Sequence, residues 1–90
     1  MTAQQFTAAV RELAAVSDNV AILRHAAQRM RERGIGLMQV LDVLRGGRVS
    51  EGPALDIHGN WKATMDRVIA GQKIAVVVAI ENRLIVITVF

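Results

Sequence analysis

The chain has 90 residues, of which 52% are hydrophobic, with no cysteine and a formal net charge of +3. A chain of this length buries about 60–65% of its unfolded surface, which supports one core over residues 1–90 and excludes a second domain. Without cysteine, disulfides and thiolate zinc sites are excluded. The amino terminus lacks the features of a signal peptide, and no apolar run approaches the roughly 20 residues that span a bilayer. We therefore expect a cytoplasmic protein that does not enter a membrane.

The amino-terminal segment has the period of an amphipathic helix. Apolar residues recur at i, i+4, i+7 and i+8 from Phe6, which predicts a helix from about Ala3 to Val16. Residues 17–19, with the sequence Ser-Asp-Asn, break that helix. Residues 20–23 are then either a short strand or a continuation into the next helix, and their branched side chains favour the strand.

The next helix, predicted from about Arg24 to Arg33, carries the best-spaced functional side chains of the chain. His25, Arg29 and Arg33 follow each other at i, i+4 and i+8 and therefore share one helix face. Gly34 ends the helix, because glycine readily adopts a positive φ beyond the last turn.

Basic residues concentrate in one part of the sequence. Residues 22–48 contain six arginines against two acidic residues, a net charge of +4, while the rest of the chain is nearly neutral. Such a segment favours an anionic partner, and we predict contacts with RNA. The predicted nucleic-acid-binding residues are Arg24, Arg29, Arg33, Arg45 and Arg48. The alternative is a solvated face whose arginines pair with Glu32 or Asp42.

The second half of the chain changes to an extended period. A third helix opens at Gly36 and ends at residues 46–47, and evenly spaced turn signals after it predict consecutive antiparallel strands. Residues 61–69 alternate in polarity, as in a half-buried strand. Residues 74–80 and 84–90 are apolar on both faces, so we place them in the middle of a sheet with helices on one side and a partner subunit on the other. This pattern predicts a homo-oligomer.

Three stretches of the sequence carry a family resemblance. They are His25-Ala26-x-x-Arg29-Met30-x-x-Arg33-Gly34-Ile35, Asp56-x-x-Gly59-Asn60-Trp61 and Leu84-Ile85-Val86-Ile87-Thr88-Val89. Together they resemble the small bacterial domain of unknown function DUF4258 over about residues 18–90, with residues 1–17 as an added amino-terminal helix. The resemblance implies an α+β fold with helices packed on an antiparallel β-sheet, similar to RelE/ParE-type toxins and barnase-like ribonucleases.

The resemblance directs attention to the residues that metal-independent RNA cleavage would need. This chemistry requires groups that transfer protons and positive charge beside the phosphate. His25 and Arg29 are the leading catalytic candidates, and His58 and Lys62 are weaker ones. Alternatively, His25 simply begins the helix or hydrogen-bonds a neighbouring backbone group. His25, Asp56 and His58 lack the spacing of a metal site, so we expect no metal and no cofactor.

Two classes of function remain open from the sequence. The first is a RelE-like endoribonuclease or RNA-binding module of a toxin–antitoxin pair, with RNA and an antitoxin as partners. The second is a non-enzymatic module that binds itself or another protein through its apolar sheet. Trp61 is compatible with both, because a tryptophan on an alternating strand either stacks on a base or packs in the core. Whether the protein is an enzyme is therefore left open.

Overall fold

Three helices pack on one face of a five-stranded sheet in the computed structural model, which describes all residues from Met1 to Phe90. The helices are α1 (Ala3–Ala14), α2 (Arg24–Arg33) and α3 (Leu37–Gly46). The strands are β1 (Val20–Ile22), β2 (Arg48–Leu55), β3 (Trp61–Ile69), β4 (Gln72–Glu81) and β5 (Arg83–Val89). The predicted α+β class is confirmed, as is the strand that precedes α2.

Local capping groups set the helix boundaries. The Thr2 hydroxyl accepts the backbone N–H of Gln5, and the Gln5 side chain accepts the N–H of Thr2, which forms a capping box before α1. Gly34 ends α2 at a φ of 65°, as its position predicted. Helix α1 stops at Ala14, earlier than the predicted end, because Val16 is already extended.

The strands are ordered β1-β5-β4-β3-β2. Strands β2 to β5 form the predicted antiparallel series, and the two most apolar strands, β4 and β5, lie inside the sheet. Strand β1 differs from the expectation, because it pairs parallel to β5 with Val20 opposite Leu84. The chain passes through α2 and α3 before the antiparallel series brings β5 back beside β1, so the sheet is mixed.

All three helices cover the same face of the sheet. Helix α2 packs on β5, α3 packs on β3 and β4, and α1 packs on α3 and β2. The largest fully buried side chains are Phe6, Val10, Val40, Val43, Leu44, Met65, Ile74, Val76, Val78, Leu84, Val86 and Val89. None of the three helices has the length and apolar character to cross a bilayer.

The opposite face of the sheet, which we call the open face, has no helix over it. Strand β3 alternates as predicted, with Ala63 and Met65 in the core and Lys62 and Thr64 on the open face. Trp61 packs against the core cluster, which agrees with the core interpretation of this residue. The open face is therefore the part of the sheet that is available to a partner.

Candidate functional site

A groove of ≈ 540 Å³, the largest cavity of the domain, lies on the open face between the β2–β3 loop and the residue that precedes α2. Its polar lining residues are Asp56, His58, Asn60, Lys62 and Glu81. Its apolar lining residues are Leu23, Ile57, Ala79, Ile85 and Ile87. The groove thus combines an imidazole, an ammonium group and two carboxylates with an apolar floor, but nowhere in the chain do three His, Cys, Asp or Glu side chains form a potential metal site.

Asp56 holds the β2–β3 loop in place. Its Oδ1 accepts the backbone N–H of His58 at 2.8 Å and that of Asn60 at 3.0 Å. Gly59 has a φ of 78°, which the turn requires, and its N–H donates to the Asp56 carbonyl. The motif Asp56-x-x-Gly59-Asn60 is therefore a turn that carries His58 to the groove.

The same hydrogen bonds affect the charge of Asp56. The bond from Asn60 does most to lower the pKa of the Asp56 carboxyl below its ordinary value, against an opposing effect of desolvation. The bond from His58 and the nearby charges of His58 and Lys62 lower this pKa further. The hydrogen bonds that hold the loop therefore also stabilise the ionised form of the Asp56 carboxyl.

Strand register brings Glu81 to the groove. Trp61 is paired with Ile80 at the end of the β3–β4 ladder, so Asn60 and Glu81 are neighbours just beyond that pair. The Asn60 Nδ2 donates to the Glu81 Oε2 at 3.3 Å. Glu81 lies far from the β2–β3 loop in the sequence, and no local motif predicted its place beside His58 and Lys62.

The four candidate catalytic residues are divided between two places. His58 and Lys62 line the groove, whereas His25 and Arg29 lie on α2 and line no cavity. His25 is exposed in the first turn of α2, and no side-chain hydrogen bond caps this helix. Leu23 borders the groove immediately before α2, which places the first turn of that helix near the groove rim.

Arg29 shows the ion pair that was the alternative to phosphate binding. Its Nη1 lies 3.5 Å from the Glu32 Oε1, with side chains that are 41% and 49% exposed. An ion pair this exposed contributes little to stability. The ion pair with Glu32 therefore holds the guanidinium group of Arg29 only weakly.

The arginines predicted to bind nucleic acid do not form one continuous surface. Those on α2, over β5, are Arg24, Arg29 and Arg33, and those at the α3–β2 turn, towards the other edge of the sheet, are Arg45 and Arg48. Arg45 has a structural contact, because its Nε donates to the Ala14 carbonyl at 2.7 Å and connects the ends of α3 and α1. The sequence indicated one basic segment, but folding separates it into two groups.

The sequence interpretation missed two further arginines beside the group at the α3–β2 turn. Arg11 from α1 and Arg67 from β3 join Arg48 around a cavity beside the α3–β2 turn. These three arginines come from separate elements, so no local spacing reveals them. The only sequence signal at this position is the glycine pair of residues 46–47.

The fold and the groove define a small α+β domain with one covered and one open sheet face. The family model described as Domain of unknown function (DUF4258) matches residues 22–90, and the chain belongs to this family, as the resemblance predicted. No curated protein and no solved structure matches the chain. Helix α1 lies outside the matched residues, yet Phe6, Val10 and Ala14 are fully buried in the common core. In this chain α1 is thus part of the core.

Proposed function

We propose that this chain is a RelE/ParE-like, toxin-type module that binds RNA across the open face and cleaves it without a metal ion in the groove. The observation that supports this proposal is the convergence of His58, Lys62 and Glu81 on one groove. In such cleavage the 2'-oxygen forms a bond to phosphorus and the bond from phosphorus to the 5'-oxygen breaks. One group removes the proton of the 2'-hydroxyl, another protonates the 5'-oxygen, and a cation stabilises the phosphate.

Each role has a candidate among the groove residues. His58 and Glu81 are the two proton-transfer groups, and the Lys62 ammonium stabilises the charge on the phosphate. Asp56 keeps His58 in position through its hydrogen bonds to the loop backbone. The apolar floor accommodates the face of a base. A strand that leaves the groove past Leu23 meets the first two turns of α2, where Arg24, His25 and Arg29 supply further phosphate contacts.

Cleavage assays with single-stranded RNA in EDTA, read by sequencing of RNA ends, test the proposal. We expect His58→Ala to lower the cleavage rate by about 10²–10⁴-fold while RNA affinity changes little. Lys62→Ala should lower both the cleavage rate and the RNA affinity. His25→Ala is the matched comparison. If this variant loses cleavage and His58→Ala does not, the proton-transfer group lies on α2 and not in the groove. Absence of cleavage by the wild-type protein would overturn the enzymatic proposal.

RNA binding is tested separately from cleavage. We expect weak binding whose affinity falls steeply with salt, because each phosphate contact on a single strand contributes about −0.7 to the slope of log K against log salt. Fluorescence anisotropy with a short RNA measures this slope, and Arg29→Ala should reduce the affinity. If the wild-type protein shows no binding even at low salt, the nucleic-acid proposal fails.

A second candidate function is supported by the apolar part of the groove. Ile57 is 95% exposed and lies at the groove with Leu23 and Ile85. Clustered exposed aliphatic side chains are typical of protein interfaces. In this function the open face binds a second copy of the chain or an antitoxin segment. Light scattering that shows a dimer, its loss in Ile57→Asp, and no RNA binding by the wild-type protein would favour this function over the first.

A further inference from the structure

We propose that Arg11, Arg48 and Arg67 form a binding site for a phosphate group at the α3–β2 turn, separate from the groove of the open face. They line a cavity of ≈ 310 Å³ together with Gly46, Gly47, Asp66 and Val68. The cavity has only one hydrophobic lining residue, unlike the groove. We call this cavity the arginine pocket. It takes no part in the proposed cleavage reaction, which uses the groove of the open face.

Backbone carbonyls within α3 and just after it accept hydrogen bonds from two of the three guanidinium groups. The Arg11 Nη2 donates to the Gly47 carbonyl at 3.3 Å, and the Arg67 Nη1 donates to the Asp42 carbonyl at 3.2 Å. A guanidinium group has five N–H donors, so most of the donors of both residues remain for a ligand. The two ion pairs of the domain, Arg29 with Glu32 and Lys73 with Asp66, do not involve any arginine of this pocket.

The positive charge of the arginine pocket is not balanced by the protein. Asp66 is its only acidic residue, and it is 8% exposed with its Oδ2 3.5 Å from the Lys73 Nζ. The carbonyl end of α3 adds only a partial negative charge. Three guanidinium groups that meet under these conditions favour an anion, and phosphate oxygens match their forked donors.

The glycine pair lets the arginine pocket form. A methyl group on Gly46 would overlap the Arg67 guanidinium group, and one on Gly47 would lie 2.6 Å from the Asp66 carbonyl oxygen. Glycine at both positions therefore allows β3 and the Arg67 side chain to lie against the end of α3. As a result of this packing, residues from α1, β2 and β3 line one cavity.

Two sources supply the same ligand chemistry: the backbone of an RNA strand and a free phosphorylated molecule. The test is an NMR titration of backbone amides with pyrophosphate and, separately, with a short RNA that lacks a terminal phosphate. We expect the amides of Gly46, Gly47 and Val68 to shift with at least one probe. Shifts with pyrophosphate alone assign the site to a free phosphorylated molecule, and shifts with RNA assign it to the nucleic-acid backbone.

Matched variants make the titration specific. Arg48→Ala should weaken binding of the active probe by about 10-fold, because it removes one forked contact from an exposed side chain. Arg67→Lys keeps the charge but loses the fork, so it should weaken binding less. Arg31→Ala makes the same charge change on α2, outside the pocket, and should leave the affinity unchanged. No shift at the three amides with either probe, or equal weakening by Arg31→Ala, would overturn the site. Since the readout is phosphate binding, either result leaves cleavage in the groove a separate question.

Discussion

The two faces of the sheet both carry apolar side chains, but their surroundings differ. The covered face places Met65, Val76 and Leu84 under the helices, where they are fully buried. The open face places Ile85 and Ile87 beside charged groups in a groove without a helix over it. The apolar residues of β4 and β5 therefore stabilise the core on one face and leave an uncovered surface on the other.

The largest expected effect contrasts a buried with an exposed apolar residue. Phe6 is 0% exposed, and Phe6→Ala should lower the free energy of unfolding by about 3–5 kcal/mol through lost burial and a cavity. Ile57→Ala at the groove should change this free energy by less than about 0.5 kcal/mol, because that side chain is already in water. Urea denaturation measures both. Similar losses for the two variants would contradict the division between the faces and the place of α1 in the core.

An intermediate effect is expected at the turn between α3 and β2. Gly47→Ala should cost about 1–3 kcal/mol of unfolding free energy, because its methyl group meets backbone carbonyls that cannot easily move. Gly46→Ala should stay within about 1 kcal/mol of the wild type, because its methyl group meets only the flexible tip of Arg67 and alanine favours the helix. Thermal unfolding of the two variants provides the measurement. A larger loss for Gly46→Ala would show that Arg67 is rigidly held.

The smallest expected effect is local and depends on pH. The pKa of Asp56 is lowered in the folded protein, so its stabilisation of the β2–β3 loop is present above the ordinary value of 3.8 and is lost as the pH falls through the lower folded-state value. Below pH 3.8 we expect the protection factors of the His58 and Asn60 amides, which correct for the pH dependence of intrinsic exchange, to fall while those of α3 stay high. Asp56→Asn keeps an acceptor oxygen but has no charge to titrate, so the protection factors of the same amides in this variant should not change over that range. A response equal to the wild type would assign the pH effect to another group.

Local signals were sufficient to predict most of the elements. The limits of α2 matched the structure, because the periodic stripe fills its ten residues and Gly34 follows directly. The interior position of β4 and β5 followed from their apolar composition. The parallel pairing of β1 with β5 did not follow, because the period of a strand specifies its faces and not its neighbour.

The site was less predictable than the fold, because it depends on contacts between distant segments. His58 and Lys62 were candidates from the sequence, but Glu81 joins them only through the register of β3 and β4. Arg11 and Arg67 similarly meet only after α1 has packed on α3 and α3 on β3. The predicted roles of His25 and Arg29 remain predictions that the paired variants will test.

The most direct test of the open face as the functional surface is an NMR map of RNA binding. The map uses a 2'-O-methyl RNA, which cannot be cleaved by attack of the 2'-oxygen. We expect the amides of the β2–β3 loop, Lys62, Glu81 and Ile85 to shift as the RNA is added at low salt, while the buried middle of α3 at Val40 is unaffected. His58→Ala should leave this pattern in place. Shifts confined to α2, with no change around the groove, would contradict the claim that the open face is the functional surface.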